Sequence, residues 1–144
     1  MNEPTRVTFR LPLPPSKNEL DGVHAMNRIR QEHRAMRTIW TSACGQHLPS
    51  LDPPAFVRAY ALFVVGNRWD PGNLTTALYS IVFDALQKPV GHAPGWRKGI
   101  HEYKGFIVDD SERHLELGGD PVQQVEPNRR RRGLHLALAW DEAS

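Results

Sequence analysis

One cysteine, Cys44, is the entire thiol content of this 144-residue chain. A lone cysteine forbids an intrachain disulfide and a thiolate zinc site of the finger kind, and it fits a reducing compartment. No apolar run approaches the 18 or more residues that span a bilayer. The opening MNEPTRVTFR lacks the apolar stretch of a secretory signal. The chain therefore reads as cytoplasmic, with no membrane partner. It has no glycine-rich phosphate cradle, so no nucleotide cofactor is expected. Its seven histidines do not form a ligand-spaced set. Lysine is scarce as well: four of the 18 basic residues are lysines (Lys17, Lys88, Lys98, Lys104) and the other 14 are arginines. Net charge is only +2, but the planar guanidinium fork suits phosphate, so the arginine excess points to a polyanion.

What is present suffices for one domain over 1–144, because hydrophobic residues make up 40% of the chain, enough for a single core. The pattern predicts a mixed α/β (α+β) fold, a small mixed β-sheet packed with two main helices. Val7 to Leu11 alternates as a strand and stops at Pro14 and Pro15. A helix is expected from Ala25 to Cys44, with Met26, Ile29, Met36, Ile39 and Trp40 at helical spacing. Ala55 to Val65 is almost continuously apolar and reads as a central strand buried on both sides. A second helix is expected over Leu74 to Leu86, with Asn73 as a possible cap. Residues 88–105 form a basic, aromatic loop without periodicity, and GFIVDD reads as a strand closing in two carboxylates. SERHLEL fits either a strand or a short helix. A brief strand is expected near Val122, a basic turn at Asn128 to Arg132, and a last strand at Gly133 to Trp140.

Asp70 follows the central strand, and Asp109 and Asp110 follow GFIVDD. If those strands are neighbours their carboxylates converge, and such a cluster needs a hard divalent cation, magnesium or manganese. The alternative is that all three are ordinary turn formers. Adjacent residues of a regular strand point opposite ways, so Asp110 is the expected ligand with Asp70, and Asp109 reaches the ion through water or caps backbone amides. Asn73 either holds a carboxylate or water or caps the helix. Arg68 either grips a scissile phosphate or is simply solvated.

The run RWDPGNLTTALYSIVFDALQ followed by GFIVDD resembles the centre of the RusA family of Holliday junction resolvases. Family members carry D-x-D-N-L after a strand, F-D-A-L in the next helix and G-x-x-x-D-D beyond it. RLPLPPSKNEL is similar to the family's first strand and proline-rich bend. The resemblance covers about residues 7–116. It implies a homodimer with a basic DNA-binding face that cuts four-way DNA junctions by paired symmetric nicks leaving 5'-phosphates. The cofactor it implies is Mg2+, with Mn2+ able to substitute. Asp70, Asp109 and Asp110 fall on the family's catalytic aspartates, Asn73 on its asparagine and Asp84 on the helix aspartate, which is expected to be structural.

Two positions depart from the family. Its second carboxylate falls on Gly72 and its lysine on Thr76. Either neighbours such as Glu112 or Asp84 substitute, or metal affinity is weaker, or the chain binds junctions without cutting them. A protein-interaction module gripping an acidic partner is a further alternative. DNA contacts are expected from Arg30, Arg34 and Arg37 on one helix face and from Trp96, Arg97, Lys98 and Lys104 in the loop. The run Arg129, Arg130, Arg131 and Arg132 is expected to add phosphate contacts.

Overall fold

The computed structural model describes residues 5–14, 35–43, 53–87 and 105–141. Within them the chain forms a five-stranded sheet: β1 (Thr5–Leu11), β2 (Val57–Val65), β3 (Leu115–Leu117), β4 (Val122–Val125) and β5 (Gly133–Trp140). Helix α1 occupies residues 35–43. Helix α2 starts as Pro71–Ala77, passes through a π-helical turn at Leu78–Val82 and finishes as Phe83–Leu86. The spatial order is β1-β5-β2-β3, and β4 also pairs with β2. β5 is antiparallel to β1 and β2, whereas β3 and β4 run parallel to β2. A mixed α/β fold with a small sheet and two helices is therefore present. No helix among the described residues is long and apolar enough to cross a membrane.

β5 alternates cleanly in sequence and is the antiparallel spine of the sheet, bonded to β1 from Leu134 to Trp140 and to β2 from Gly133 to Ala139. β2 lies inside the sheet as expected, but it is not buried on both faces. Arg58 and Tyr60 are exposed and Leu62 is half-buried, while Val57, Ala59, Phe63 and Val65 are fully buried. The apolar run hides a period of two because alanine and tyrosine count as apolar on either face.

α2 begins three residues earlier than Leu74. Asp70 is the N-cap and Pro71 takes the first helical position, where its missing N–H costs nothing. Asn73 is thus inside the first turn, not the cap. The buried set Leu74, Ala77, Leu78, Ile81, Val82, Phe83, Ala85 and Leu86 includes three consecutive residues, too wide for one stripe of a regular helix. The π turn at Leu78–Val82 shifts the helical phase within that set, and α1 packs beside it: Arg37 Nη2 donates to Asp84 Oδ2 at 3.2 Å. Both partners are about one-third exposed. Arg37→Met is expected to lower stability by only about 1 kcal/mol, roughly 3 °C in thermal melting.

GFIVDD does not form a strand. Gly105, Phe106 and Ile107 are buried, and the N–H groups of Phe106 and Ile107 both donate to Leu86 O at the end of α2, at 2.8 and 3.2 Å. A single bridge, Gln87 to Ile107, is all the pairing there. The apolar run serves to dock the chain under the helix, with Phe106 against Phe9 at 5.7 Å between ring centroids. SERHLEL resolves into a turn over 112–114 followed by β3. One hydrophobic cluster joins these parts, running from Phe9 and Leu11 through Trp40, Phe63 and α2 to Leu134, Leu136 and Leu138.

Candidate functional site

Asp70 sits on the turn between β2 and α2. That turn is clamped to β4: Trp69 N–H donates to Gln123 Oε1 and Gln123 Nε2 donates back to Trp69 O, both at 2.8 Å. The Trp69 ring leans on Phe63, with centroids 5.5 Å apart. Gln123 positions the aspartate, and nothing in VQQV distinguishes it from a solvated edge residue. The Asp70 backbone carbonyl accepts from Asn73 N–H at 2.9 Å, but the Asp70 carboxylate makes no capping bond. Asp70, Arg68 and Gly72 are exposed and Asn73 is half-buried. A Cβ on Gly72 would have nothing within 4 Å. Thr76, where the resemblance expects lysine, donates its hydroxyl to Gly72 O at 3.0 Å and so serves the helix backbone.

Asp109 has a local job. Its Oδ1 accepts from Ser111 N–H at 2.8 Å, and Ser111 holds its carboxyl below the ordinary carboxylate value, first through its side chain and then through its backbone. Asp109 Oδ2 lies 4.0 Å from His114 Nε2. The other ring nitrogen of His114, Nδ1, is 2.8 Å from Ala55 O, an acceptor that fixes Nδ1 as the donor. Asp110 and Glu112 are exposed on the side of Tyr79. Burial, and then the fields of Asp110 and Glu112, push the Tyr79 phenol above its ordinary value of 10.0. The raised value favours the neutral phenol in the folded chain. Its contribution to stability is present below pH 10 and is lost as pH rises through the folded value. A 295 nm alkaline titration is expected to show Tyr79 ionising late. Asp110→Asn is expected to bring it only part-way back, since burial is the larger cause.

Asp70 and Asp109 are anchored to different parts of β2. Trp69, next to Asp70, is bonded to Gln123, which pairs with Phe63. Asp109 reaches His114, which bonds Ala55. From Ala55 to Phe63 is eight residues of β2 and its approach, about 26 Å of extended chain. GFIVDD was expected to end as a strand beside the end of β2. It instead leads into β3, which runs parallel to β2 from its start. Among the described residues no group of three or more His, Cys, Asp or Glu is gathered closely enough to hold a metal ion.

The expected DNA-contact residues divide. Arg30, Arg34, Trp96, Arg97, Lys98 and Lys104 lie outside the described residues. Arg37 turns towards Asp84. Arg129, Arg130 and Arg131 form an exposed 3-10 turn capped by Asn128 Oδ1, which accepts from Arg130 N–H at 3.0 Å. Arg132 is folded back instead: Nε donates to Glu126 O at 2.8 Å and Nη2 to Pro127 O at 2.9 Å. Its guanidinium lies where a side chain on Gly66 would stand. Arg10 Nη2 braces the same turn by donating to Arg130 O and Arg132 O at 2.9 and 3.2 Å. Three arginines are thus presented outward by two that bond the backbone.

Compared with models of known protein families and with curated proteins, the chain matches none.

Proposed function

We propose that this chain is a divalent-metal-dependent, structure-specific endodeoxyribonuclease of the RusA kind, acting on four-way DNA junctions as a homodimer. The observation that carries the reading is the Asp70 carboxylate. It stands exposed at the start of α2, makes no capping bond, and has Arg68, Gly72 and Asn73 around it. A turn-forming aspartate would spend that oxygen on a backbone amide, as Asp109 does.

The donor chemistry fits magnesium, which takes hard oxygen ligands and needs only one or two carboxylates beside water and substrate phosphate. Asp70 and the Asn73 amide oxygen are the donors at this end of the sheet. When bound, the ion polarises a phosphoryl oxygen and lowers the pKa of water. Arg68 holds the phosphate being cut, and Arg129, Arg130 and Arg131 hold the backbone at a distance from it. Asp110 lies on the Tyr79 side of α2. A two-fold homodimer supplies two such sites, one for each of the paired nicks in a junction. The homodimer is therefore part of the proposal.

A binding-only reading rests on the lack of an acidic cluster among the described residues, together with Gly72 and Thr76. Cleavage of a synthetic four-way junction in magnesium and in manganese, against linear duplex, separates the two. Paired nicks support the nuclease; tight binding with no product in either metal overturns it. Gly72→Asp is a sharper probe, because its side chain meets open space at the second helical position. It is expected to raise metal-dependent cutting and to leave thermal stability unchanged or up by about 0.5 kcal/mol, since an acidic residue favours a helix N-terminus. A melt alongside the cleavage assay checks both.

A further inference from the structure

The sheet has a second face that the core does not use. Its cross-strand rows follow from the register: Arg6, Ala139 and Arg58; Thr8, Ala137 and Tyr60; Arg10, His135, Leu62 and Val122. The last two rows and Arg6 line a groove of about 680 Å³. Its floor is low because Ala137 stands between Thr8 and Tyr60, and its far wall is apolar, with Val122 58% exposed and Tyr60 40% exposed. Its near wall, on β1, is cationic. Arg6 and Arg10 have no carboxylate partner among the described residues, and no Asp or Glu lines the groove. Arg58 lies outside it, neutralised by Glu116 at 2.6 Å.

The Tyr60 ring is held in place. The ring lies against Gly118, where an added Cβ would come within 2.2 Å of it, and the Arg6 guanidinium sits over the ring at 5.9 Å from its centroid. Such a side chain on a sheet face is a platform, not a mobile surface aromatic.

We propose that this face is a binding groove for unpaired nucleotides of single-stranded DNA, with bases on the Tyr60, Ala137 and Leu62 side and phosphates on Arg6 and Arg10. Two strand spacings, about 9.6 Å, separate the backbones of β1 and β2, and the Arg6 guanidinium reaches to 5.9 Å from the Tyr60 ring centroid. Unpaired DNA offers flat apolar bases and a regular anionic edge together, and so matches both walls. The inference rests on the DNA reading proposed above but not on cleavage, and it locates the strand on a sheet face whose lining does not include the Asp70 turn.

The test is fluorescence anisotropy of labelled dT12 with the full chain in EDTA, beside a 12-base-pair duplex. Tyr60→Ala is expected to weaken dT12 by about 5- to 100-fold and the duplex hardly at all. Tyr60→Trp is expected to retain binding. Arg6→Ala is expected to weaken dT12 and to flatten the slope of log affinity against log salt by about 0.7. Photocrosslinks from bromouracil-substituted dT12 to the unmutated protein are expected on β2 or β5, which keeps the test sound if a variant misfolds. Unchanged dT12 affinity in folded Tyr60→Ala overturns the groove, as do crosslinks confined to other elements. So does a Tyr60→Ala variant that turns a dimer into a monomer while dT12 affinity holds, which would give the face to a second copy. A chain that binds dT12 through Tyr60 but never cuts a junction sinks the nuclease reading alone.

Discussion

Phe106→Ala is expected to destabilise the fold by about 3–5 kcal/mol, the range for truncating a buried phenylalanine. Thermal melting should fall by roughly 10 °C for a chain of this length. Phe106 is fully buried. Its ring meets Phe9 of β1 and its N–H closes the last turn of α2 through Leu86 O. One residue therefore joins the first strand, the second helix and the approach to Asp109 and Asp110. Gly105 just before it has φ 83°, a left-handed conformation that a side chain would strain, so the ring enters the core through a turn only glycine takes without cost. Chemical denaturation with two probes checks this. A loss under about 1 kcal/mol would mean that the segment docks loosely and that the Asp109 turn is not anchored by it.

The second large effect is chemical. Asp70→Asn is expected to lower metal-dependent junction cleavage by about 100-fold or more, the scale of losing one preorganised charge-stabilising group. The melting temperature should stay within about 1–2 °C, because the carboxylate is exposed and makes no capping bond. Junction binding should persist, since the arginine turn and the sheet face are elsewhere. Single-turnover cleavage in magnesium, with binding measured in EDTA, reads both. Equal cleavage by Asp70→Asn and the parent chain would remove Asp70 from the reaction. Parallel loss of cleavage, binding and stability would make it a structural residue.

The exposed arginine turn shows how much of a charged surface is architecture. Of the four consecutive arginines, Arg132 is spent on the carbonyls of Glu126 and Pro127, and Arg10, 120 residues from Arg130 in sequence, braces the turn from β1. An arginine run read along the chain counts four equal cations. The fold divides them into three that face solvent and one that holds the turn.

Local patterning determined much of this protein. The alternation of GLHLALAW defined β5, the apolar spacing from Leu74 to Leu86 defined most of α2, and the single cysteine excluded a disulfide. These features depend on period and backbone chemistry within a few residues, which the sequence carries directly. GFIVDD was misread as a strand because its apolar run fits either a ladder or a buried docking segment, and only contact with Leu86 and Phe9 decides between them. β2 looked buried on both faces because composition does not say which face meets α2. The tertiary structure alone decided that GFIVDD docks under the end of α2 and leads into β3, that Gln123 clamps the Asp70 turn, and that Arg6, Arg10, Tyr60 and His135 share a groove. Each depends on strand order and register between segments tens of residues apart, and those are set by the packing of the whole sheet, not by any local run of residues.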